Sequence, residues 1–374
     1  MKLKSFLSYF SNREKGLAVS ILLPTHRTFP DNKQDAIMLK NLVTEARNRL
    51  QSWPDRQEAE MIMDAIDKKI STHDHNYNLD GLGIFANREG VTLINFPFAV
   101  KEQMVVDEAF AIRDLVREIN GAVHYRVLVI SRTDARLIEG FNSHLVHEFD
   151  ARTELWTGSF PMENPFLFAA KGLDRAQIPN EAANLKEFFN RVDKSLQEIQ
   201  NKPEHERLPV IIAGDARNAA FFREVCDQPA DIIGEVTSIP DLRIPAEKII
   251  VEVQGLVSDH RRQKAEAALQ YIAQARNNHQ LLTDSSMIFR AIDAGNAARL
   301  FVRQGYIQPG IIDFDQKIVT LQEDSATAEP TGSAVTDDAV GTLIELVIRQ
   351  GGEVHFLSAD QLGKEAPLSL QTRY

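Results

Sequence analysis

One short segment limits the possible folds more than any other part of the chain. Residues 208–213, LPVIIA, are almost continuously apolar and lead directly into Gly214-Asp215. A run without a polar face is typical of a strand that helices cover on both sides, as in a parallel sheet. An amphipathic helix is predicted just before it, over about 184–200. Its apolar residues at helical spacing are Leu185, Phe188, Phe189, Val192, Leu196 and Ile199. The sequence therefore predicts an α/β domain in the middle of the chain.

The flanking patterns extend this prediction to an α/β protein of three domains. We place the middle domain at 121–250, because β signals at 125–131, 135–141 and 144–149 precede the helix. An N-terminal α/β domain is predicted at 1–120. Its expected elements are a strand at 17–23, helices at about 34–51 and 55–70, and strands at 81–86 and 91–96.

The last segment, 251–374, predicts an α/β/α sandwich. A long helix from Pro245 to about Asn278 is expected to connect two domains, although Gly255 and a β-branched run weaken its first half. Thr336 is expected to cap a later helix that Gly351-Gly352 ends. The other expected elements are a helix at 286–294, a strand at 298–303, a hairpin of 311–314 and 317–321, a polar loop at 322–334 and a strand at 353–357.

Composition argues against several classes of protein. The net charge is −11, whereas proteins that coat nucleic acid nonspecifically are usually basic, so DNA is not an expected partner. No apolar run is long enough to span a bilayer, so a membrane is not expected either. The single cysteine, Cys226, cannot form an intramolecular disulfide and suits a reducing cytoplasm. Its apolar surroundings indicate a core thiol, with a nucleophile as the alternative.

The sequence contains no self-sufficient catalytic motif. GxxxxGK[ST], GxSxG and HExxH are all absent, so neither a cofactor nor a metal is predicted. Asp215 follows the buried strand, where an acidic residue either helps to bind metal in a nuclease-like fold or caps the next helix. His73-Asp74-His75 is interpreted in the same two ways, as metal ligands or as part of a polar loop.

A basic and polar cluster follows the first predicted strand. Thr25, His26 and Arg27 come directly after Pro24. They are candidates for an anion-binding site, because α/β folds place ligands at the carboxyl ends of strands. The alternative is that His26 and Arg27 make structural bonds to carboxylates such as Asp35.

A second candidate lies in the long loop of the middle domain. Aromatic residues interleaved with basic ones can stack on RNA bases and neutralise phosphates. The alternative is that the aromatic side chains fold back into the core. The candidate RNA-contact residues are Trp156, Phe160, Phe166, Lys171, Gly172, Arg175 and Gln177.

Several motifs, taken in order, resemble a known family. They are residues 20–27 (SILLPTHR), 39–42 (LKNL), 80–85 (DGLGIF), 136–140 (RLIEG), 188–193 (FFNRVD), 209–214 (PVIIAG) and 351–356 (GGEVHF). Together they resemble the bacterial archaeo-eukaryotic release factor superfamily, and its third family most. The resemblance implies a middle ribonuclease-H-like domain and a C-terminal domain like an RNA-binding ribosomal protein. It also implies the ribosome as partner, through ribosomal RNA and possibly tRNA.

The catalytic tripeptide of release factors is missing. In those proteins a Gly-Gly-Gln loop between the meander and the next helix helps water to attack the peptidyl-tRNA ester. The corresponding stretch here, about 171–180, contains only Gly172 and Gln177, separated by four residues. Gly351-Gly352-Glu353 lies in another domain. The resemblance therefore implies a factor in termination, rescue or hibernation that binds the A-site region without hydrolysis.

Two other functions stay open at this point. One is an enzyme, either a peptidyl-tRNA hydrolase using Gln177 or a metal-dependent nuclease using Asp215. The other is an interaction module that is unrelated to ribosomes and acts through its acidic surface. The sequence does not predict an oligomeric state.

Overall fold

The computed structural model describes residues 16–51, 53–107, 110–150, 160–168, 180–203, 205–239, 243–321, 334–336 and 338–374. The fold is mixed α/β, and its described residues form two compact units. The middle unit lies within 122–262, and the composite unit combines the segments before 122 and after 262. The division into three domains stays a prediction. None of the described helices has the length and apolarity needed to cross a membrane.

The composite unit begins with an antiparallel sheet and two helices. Its order is β3-β2-β1-β4, and α1 and α2 pack their apolar faces against it. The elements are β1 (Ala18–Pro24), α1 (Lys33–Leu50), α2 (Arg56–Ser71), β2 (Gly81–Asn87), β3 (Gly90–Phe96), β4 (Gln103–Asp107) and α3 (Arg113–Gly121). The predicted strands and helices of this segment are therefore present. The edge strand β4 and the helix α3 were not predicted.

The middle unit is built on one mixed sheet of order β10-β9-β5-β6-β7, with β8 paired to β6. The strands β5, β9 and β10 are parallel, and β6 runs antiparallel to both of its neighbours in this order. The elements are β5 (His124–Ile130), β6 (Asp134–Phe141), β7 (His144–Glu148), β8 (Met162–Glu163), α4 (Pro165–Phe168), α5 (Glu181–Asn201), β9 (Val210–Ala213), α6 (Ala216–Val225), β10 (Ile232–Val236) and α7 (Ala246–Glu252).

The sheet of the middle unit is covered on both faces, as the run at 208–213 predicts. Leu128, Val210 and Ile212 pack with α5 and α6 in one core cluster. Val127, Ile211 and Ala213 pack with α7 in another. Because side chains alternate along a strand, these two clusters lie on opposite faces of the sheet. Every residue of β9 is buried, so this strand has no polar face.

The remainder of the composite unit contains a second sheet and a small third one. The order is β11-β17-β12-β16 in the larger sheet and β14-β13-β15 in the smaller. The helix α8 (Gln254–Asn277) begins in the middle unit and continues into the composite unit after residue 262. The other elements are β11 (Leu281–Leu282), α9 (Ser285–Asp293), β12 (Ala297–Arg303), β13 (Gly310–Asp313), β14 (Ile318–Leu321), β15 (Ala334–Thr336), α10 (Ala339–Arg349), β16 (Glu353–Leu357), α11 (Ala359–Leu362) and β17 (Leu368–Thr372).

Two sequence predictions in this region are wrong. The long helix expected from Pro245 is interrupted at Val253, between α7 and α8. Val253 is fully buried in the core, and the β-branched residues before it and Gly255 after it both disfavour a continuous helix. Thr336 does not cap α10, because it pairs with Gly310 as the end of β15. The cap is Asp338, whose side chain accepts a hydrogen bond from the backbone N–H of Gly341.

Candidate functional site

The middle unit has a cleft at the edge where its parallel strands end. Ser131 follows β5, Asp215 lies two residues after β9 and Thr237 follows β10, so the carboxyl ends of three parallel strands meet at this edge. Ligands of α/β sheets are commonly bound at such strand ends. The cavity measures about 420 Å³. Its lining residues are Val129, Ser131, Arg132, Thr133, Asp134, Arg136, Asp215, Asn218, Thr237, Ile239 and Arg243.

The charged groups at this cleft are held by other protein groups. Arg136 donates two hydrogen bonds to Glu148, of 2.6 and 2.9 Å, and a third to the carbonyl of Ile244. Arg132 lies 2.7 Å from the Glu181 carboxylate. The cleft thus has fixed walls, and two of its cations already have carboxylate partners.

Asp215 is the helix cap that the sequence offered as one alternative. One of its carboxylate oxygens accepts from the backbone N–H of Asn218 at 2.8 Å, and the other accepts from the Asn218 side-chain amide at 2.7 Å. Within the described ranges, no group of three or more His, Cys, Asp or Glu side chains is arranged to hold a metal. No described neighbour therefore supports Asp215 as a nuclease ligand.

The aromatic loop is only partly within the described residues. Phe160 is 1% exposed and belongs to the core of the middle unit, so its ring is not available for stacking in this conformation. Phe166 is half-buried and lies under the Arg191 guanidinium, at 5.0 Å. The other candidates lie outside the described residues: Trp156, Lys171, Gly172, Arg175 and Gln177.

The cluster after β1 makes internal bonds. The Thr25 hydroxyl donates to the carbonyl of Leu79 at 2.8 Å. His26 contacts Asp35 twice, through its backbone N–H at 3.0 Å and its ring Nδ1 at 2.8 Å. Arg27 donates to both oxygens of Asp80, at 2.7 and 2.6 Å. The geometry favours the structural alternative, because the His26 ring and the Arg27 guanidinium both contact carboxylates of the same unit.

His73 and His75 belong to the same polar network. Asn78, which is buried, donates to Asp35 at 2.8 Å, and its amide oxygen lies 2.8 Å from the ring nitrogen Nε2 of His73. The two histidine rings meet edge to face at 4.8 Å. Burial, followed by the neighbouring His73, lowers the pKa of His75. The segment therefore serves as an ordered connection between α2 and β2, which is the loop interpretation.

A buried ion pair in the middle unit was missed by the sequence analysis. Arg126 and Glu139 are both 0% exposed and lie 3.2 Å apart on the paired strands β5 and β6. His124 reaches the other oxygen of Glu139 at 2.8 Å. Burial alone would raise the pKa of Glu139, but its contact with His124 holds it well below the usual range. The sequence signal that could have revealed this pair was one charged residue within each of two predicted, neighbouring strands.

Cys226 is half-buried and packs against the middle-unit core, at the end of α6. Burial raises the pKa of its thiol to about 11, and the carboxylate of Asp193 adds to this shift. Since the thiolate is the reactive form, the core interpretation is favoured over the nucleophile.

We expect Cys226 to react slowly with iodoacetamide in the native protein. A pKa near 11 instead of 9.0 lowers the thiolate fraction at pH 8 roughly 100-fold. The rate should be compared with that of the same protein in urea, where the chain's single cysteine is exposed. Equal rates in the two conditions would contradict the core interpretation.

Comparison with known proteins relates the middle of this mixed α/β chain to a known family. Residues 124–296 match the model of bacterial archaeo-eukaryotic release factor family 3. This match covers somewhat less than half of the chain, and it supports the family that the motifs resemble. The matched range includes the whole sheet of the middle unit and the cleft at its edge. No curated protein sequence matches the chain.

Solved structures to which the chain is similar include three archaeal proteins. Pelota from a ribosome-bound model is 13% identical, with 100% of this chain and 94% of that chain covered and a TM-score of 0.41. Archaeoglobus fulgidus Pelota is 12% identical, with 100% and 92% covered and a TM-score of 0.32. The archaeal translation termination factor aRF1 is 14% identical, with 100% and 97% covered and a TM-score of 0.26. At these TM-scores the likenesses carry no argument about function.

Proposed function

We propose that this protein is a cytoplasmic, ribosome-associated factor of translation termination, rescue or hibernation that does not hydrolyse peptidyl-tRNA. The observation that carries the proposal is the family match over 124–296. The factor would occupy the A-site region, with the segment at 171–180 near the peptidyl-transferase centre and ribosomal RNA as its main contact. These finer statements rest on the family resemblance.

The amino-acid sequence lacks the tripeptide on which hydrolysis by release factors depends. No Gly-Gly-Gln tripeptide occurs in the chain. The Gly-Gly pair at 351–352 ends α10, and Gly351 has a φ of +70°, the left-handed conformation typical of a helix stop. That pair therefore has a structural role. The nuclease alternative has no support among the described residues, since both oxygens of Asp215 are used in the cap of α6.

We expect the tagged protein to sediment with 70S particles on sucrose gradients, from growing cells, from starved cells or from both. High salt should release it, because contacts with RNA phosphates weaken as salt rises. The double variant Lys171→Glu/Arg175→Glu should reduce the ribosome-bound fraction at least about tenfold, since it places like charges against phosphate. The double variant Lys194→Glu/Lys248→Glu, at exposed positions of α5 and α7, is the matched control because it makes the same change in charge.

Migration only at the top of the gradient in both conditions would overturn the proposal. A peptidyl-tRNA hydrolysis assay with purified ribosomes tests the proposed lack of hydrolysis. Release of the peptide above the ribosome-only background would contradict it. In that case, Gln177→Ala tests for a peptidyl-tRNA hydrolase and Asp215→Asn tests for a metal-dependent nuclease. Asparagine retains the cap of α6 while removing the carboxylate, so loss of activity would not reflect a damaged helix.

A further inference from the structure

The helix α1 presents a basic face in a chain whose net charge is −11. Its exposed charged residues are Lys33, Lys40, Glu45, Arg47 and Arg49. Arg47 pairs with Asp67 of α2, and Arg49 pairs with Glu45. Across the part of the chain that the structure describes, no carboxylate lies within ion-pair distance of Lys33 or Lys40. A cationic stripe along one helix is a typical electrostatic feature of nucleic-acid contact.

Exposed apolar and aromatic side chains lie on the first turns of α1, on the loop before it and on the turn between α2 and β2. Phe29 is 69% exposed, Ile37 63% and Tyr77 61%. The ammonium of Lys33 sits 4.6 Å from the centre of the Phe29 ring. Lys33, Ile37 and Lys40 are four and three residues apart, so they lie along the same side of the helix. Large exposed side chains grouped in this way mark interaction surfaces more often than scattered single ones do.

A buried polar network fixes the two loops that carry the aromatic rings. Asn32 donates to Asn76 at 3.4 Å, which places the loop of Phe29 beside that of Tyr77. Beneath them, Asn78 donates to the fully buried Asp35. The Asp74 carboxylate accepts from the backbone N–H of Asn76 and so shapes the same turn. Because these hydrogen bonds already fix the two loops, binding does not incur the entropic cost of ordering the backbone that carries the rings.

We propose that Phe29, Lys33, Ile37, Lys40 and Tyr77 form a contact surface for single-stranded RNA, here called the α1 surface. Unstacked bases would pack on the two rings, and the two lysines would neutralise the adjoining phosphates. The α1 surface lies outside the family match at 124–296 and outside the middle-unit loop. It would be a second RNA contact on the same chain.

The occupant follows from the combination of ring faces and cations. A duplex keeps its bases stacked and offers no faces to Phe29 or Tyr77. An acidic peptide would satisfy the lysines but would not require aromatic rings, and an apolar peptide would not require the cations. RNA in place of DNA rests on the proposed ribosomal function, because the rings and lysines suit either single strand.

The experiment measures binding of a fluorescein-labelled 12-nucleotide single-stranded RNA to the full-length protein by anisotropy. Phe29→Leu/Tyr77→Leu retains apolar area but removes the aromatic faces, and we expect at least about tenfold weaker binding. Lys33→Glu/Lys40→Glu should weaken binding similarly. It should also make the salt dependence less steep. The negative slope of the logarithm of the association constant against log salt should shrink in magnitude by about 1.4, which is 0.7 for each of two phosphate contacts.

Matched controls are Phe314→Leu and Lys364→Glu, at exposed positions of the same unit. We expect both to bind within about twofold of the unaltered protein, since they leave the stacking rings and cations intact. The proposal is overturned if the unaltered protein does not bind the RNA at 50 mM salt, or if the controls lose as much affinity as the α1 variants. Unchanged binding by the leucine variant would also overturn it. A DNA 12-mer of the same sequence that binds more tightly would overturn the assignment to RNA. Sedimentation with ribosomes is scored separately, so failure of this surface and failure of the proposed function are distinguishable.

Discussion

Replacing Arg126 with alanine is expected to lower the free energy of unfolding of the middle unit by about 3–5 kcal/mol. The guanidinium lies 3.2 Å from Glu139, and neither side chain is exposed to solvent. Its removal leaves the Glu139 carboxylate buried without its arginine partner, and a desolvated charge that lacks such a partner is costly. Arg126 also donates to the side chain of Gln200 and to the carbonyl of Glu206, at 3.2 Å for the latter.

The double variant Arg126→Met/Glu139→Leu is expected to recover most of this loss. Replacing a buried ion pair by apolar side chains of similar size is often neutral or stabilising. Gln200 remains satisfied in the variant, because it makes two hydrogen bonds with the backbone of Leu208, at 2.7 and 3.0 Å. The comparison between the single and double variants therefore separates the cost of an unpaired charge from the loss of packing.

Native-state hydrogen exchange of the β5 and β6 amides is the appropriate measurement. It reports opening of the middle unit alone, whereas an unfolding curve of the whole chain mixes two units. Arg223→Ala is the surface control, since Arg223 is 42% exposed and pairs with Glu235. Its effect should stay below about 1 kcal/mol. A single Arg126→Ala variant as stable as this control would contradict the prediction.

Replacing Arg117 with alanine should destabilise the composite unit by about 2–4 kcal/mol. Arg117 lies on α3, near the end of the first segment of this unit. It donates to the Asp338 carboxylate at 2.5 Å and to the carbonyl of Tyr306 at 3.0 Å, and both acceptors belong to the segment after 262. The side chains of Arg117 and Asp338 are only 13% and 12% exposed. The change thus removes a nearly buried connection between segments that are far apart in sequence.

The effect should be visible as faster hydrogen exchange in α3 and α10. Arg113→Ala is the control, because it removes an arginine from the same helix one turn earlier. Arg113 lies 3.8 Å from Glu345 and is 41% exposed, so we expect a loss below about 1 kcal/mol. Arg117→Lys keeps the charge but not the forked donor geometry, and an intermediate loss is expected. Equal losses for the alanine variants of Arg113 and Arg117 would count against this prediction.

Local patterns were sufficient to predict the principal elements of the chain. Helical spacing predicted α1, α2, α5 and α10, and the turn residues between apolar runs placed β5, β6 and β7. The unbroken apolar run at 208–213 predicted a strand with both faces covered, which the two core clusters confirm. The elements that were missed, β4, β11 and β17 among them, owe their structure to pairing with β1, β12 and each other.

The contacts of the candidate site residues were harder to predict, because their hydrogen-bond partners are distant in sequence. The sequence identified Thr25–Arg27 as polar residues at a strand end, but the identity of their acceptors followed only from the fold. Arg27 meets Asp80 across 53 residues, and Asn78 meets Asp35 across 43. The α1 surface was not noticed, because the loop of Phe29 lies beside that of Tyr77 only through the hydrogen bond between Asn32 and Asn76.

The sequence by itself determined the α/β class, the motifs of the family and the absence of a Gly-Gly-Gln loop, since each depends on residue type and short spacing. The tertiary structure alone decided which side chains share a site and which charges are neutralised. It showed that Asp215 caps α6, that Phe160 lies in the core and that Arg126 faces Glu139. The reason is physical, because burial and ion pairing depend on distances between segments that sequence spacing does not specify.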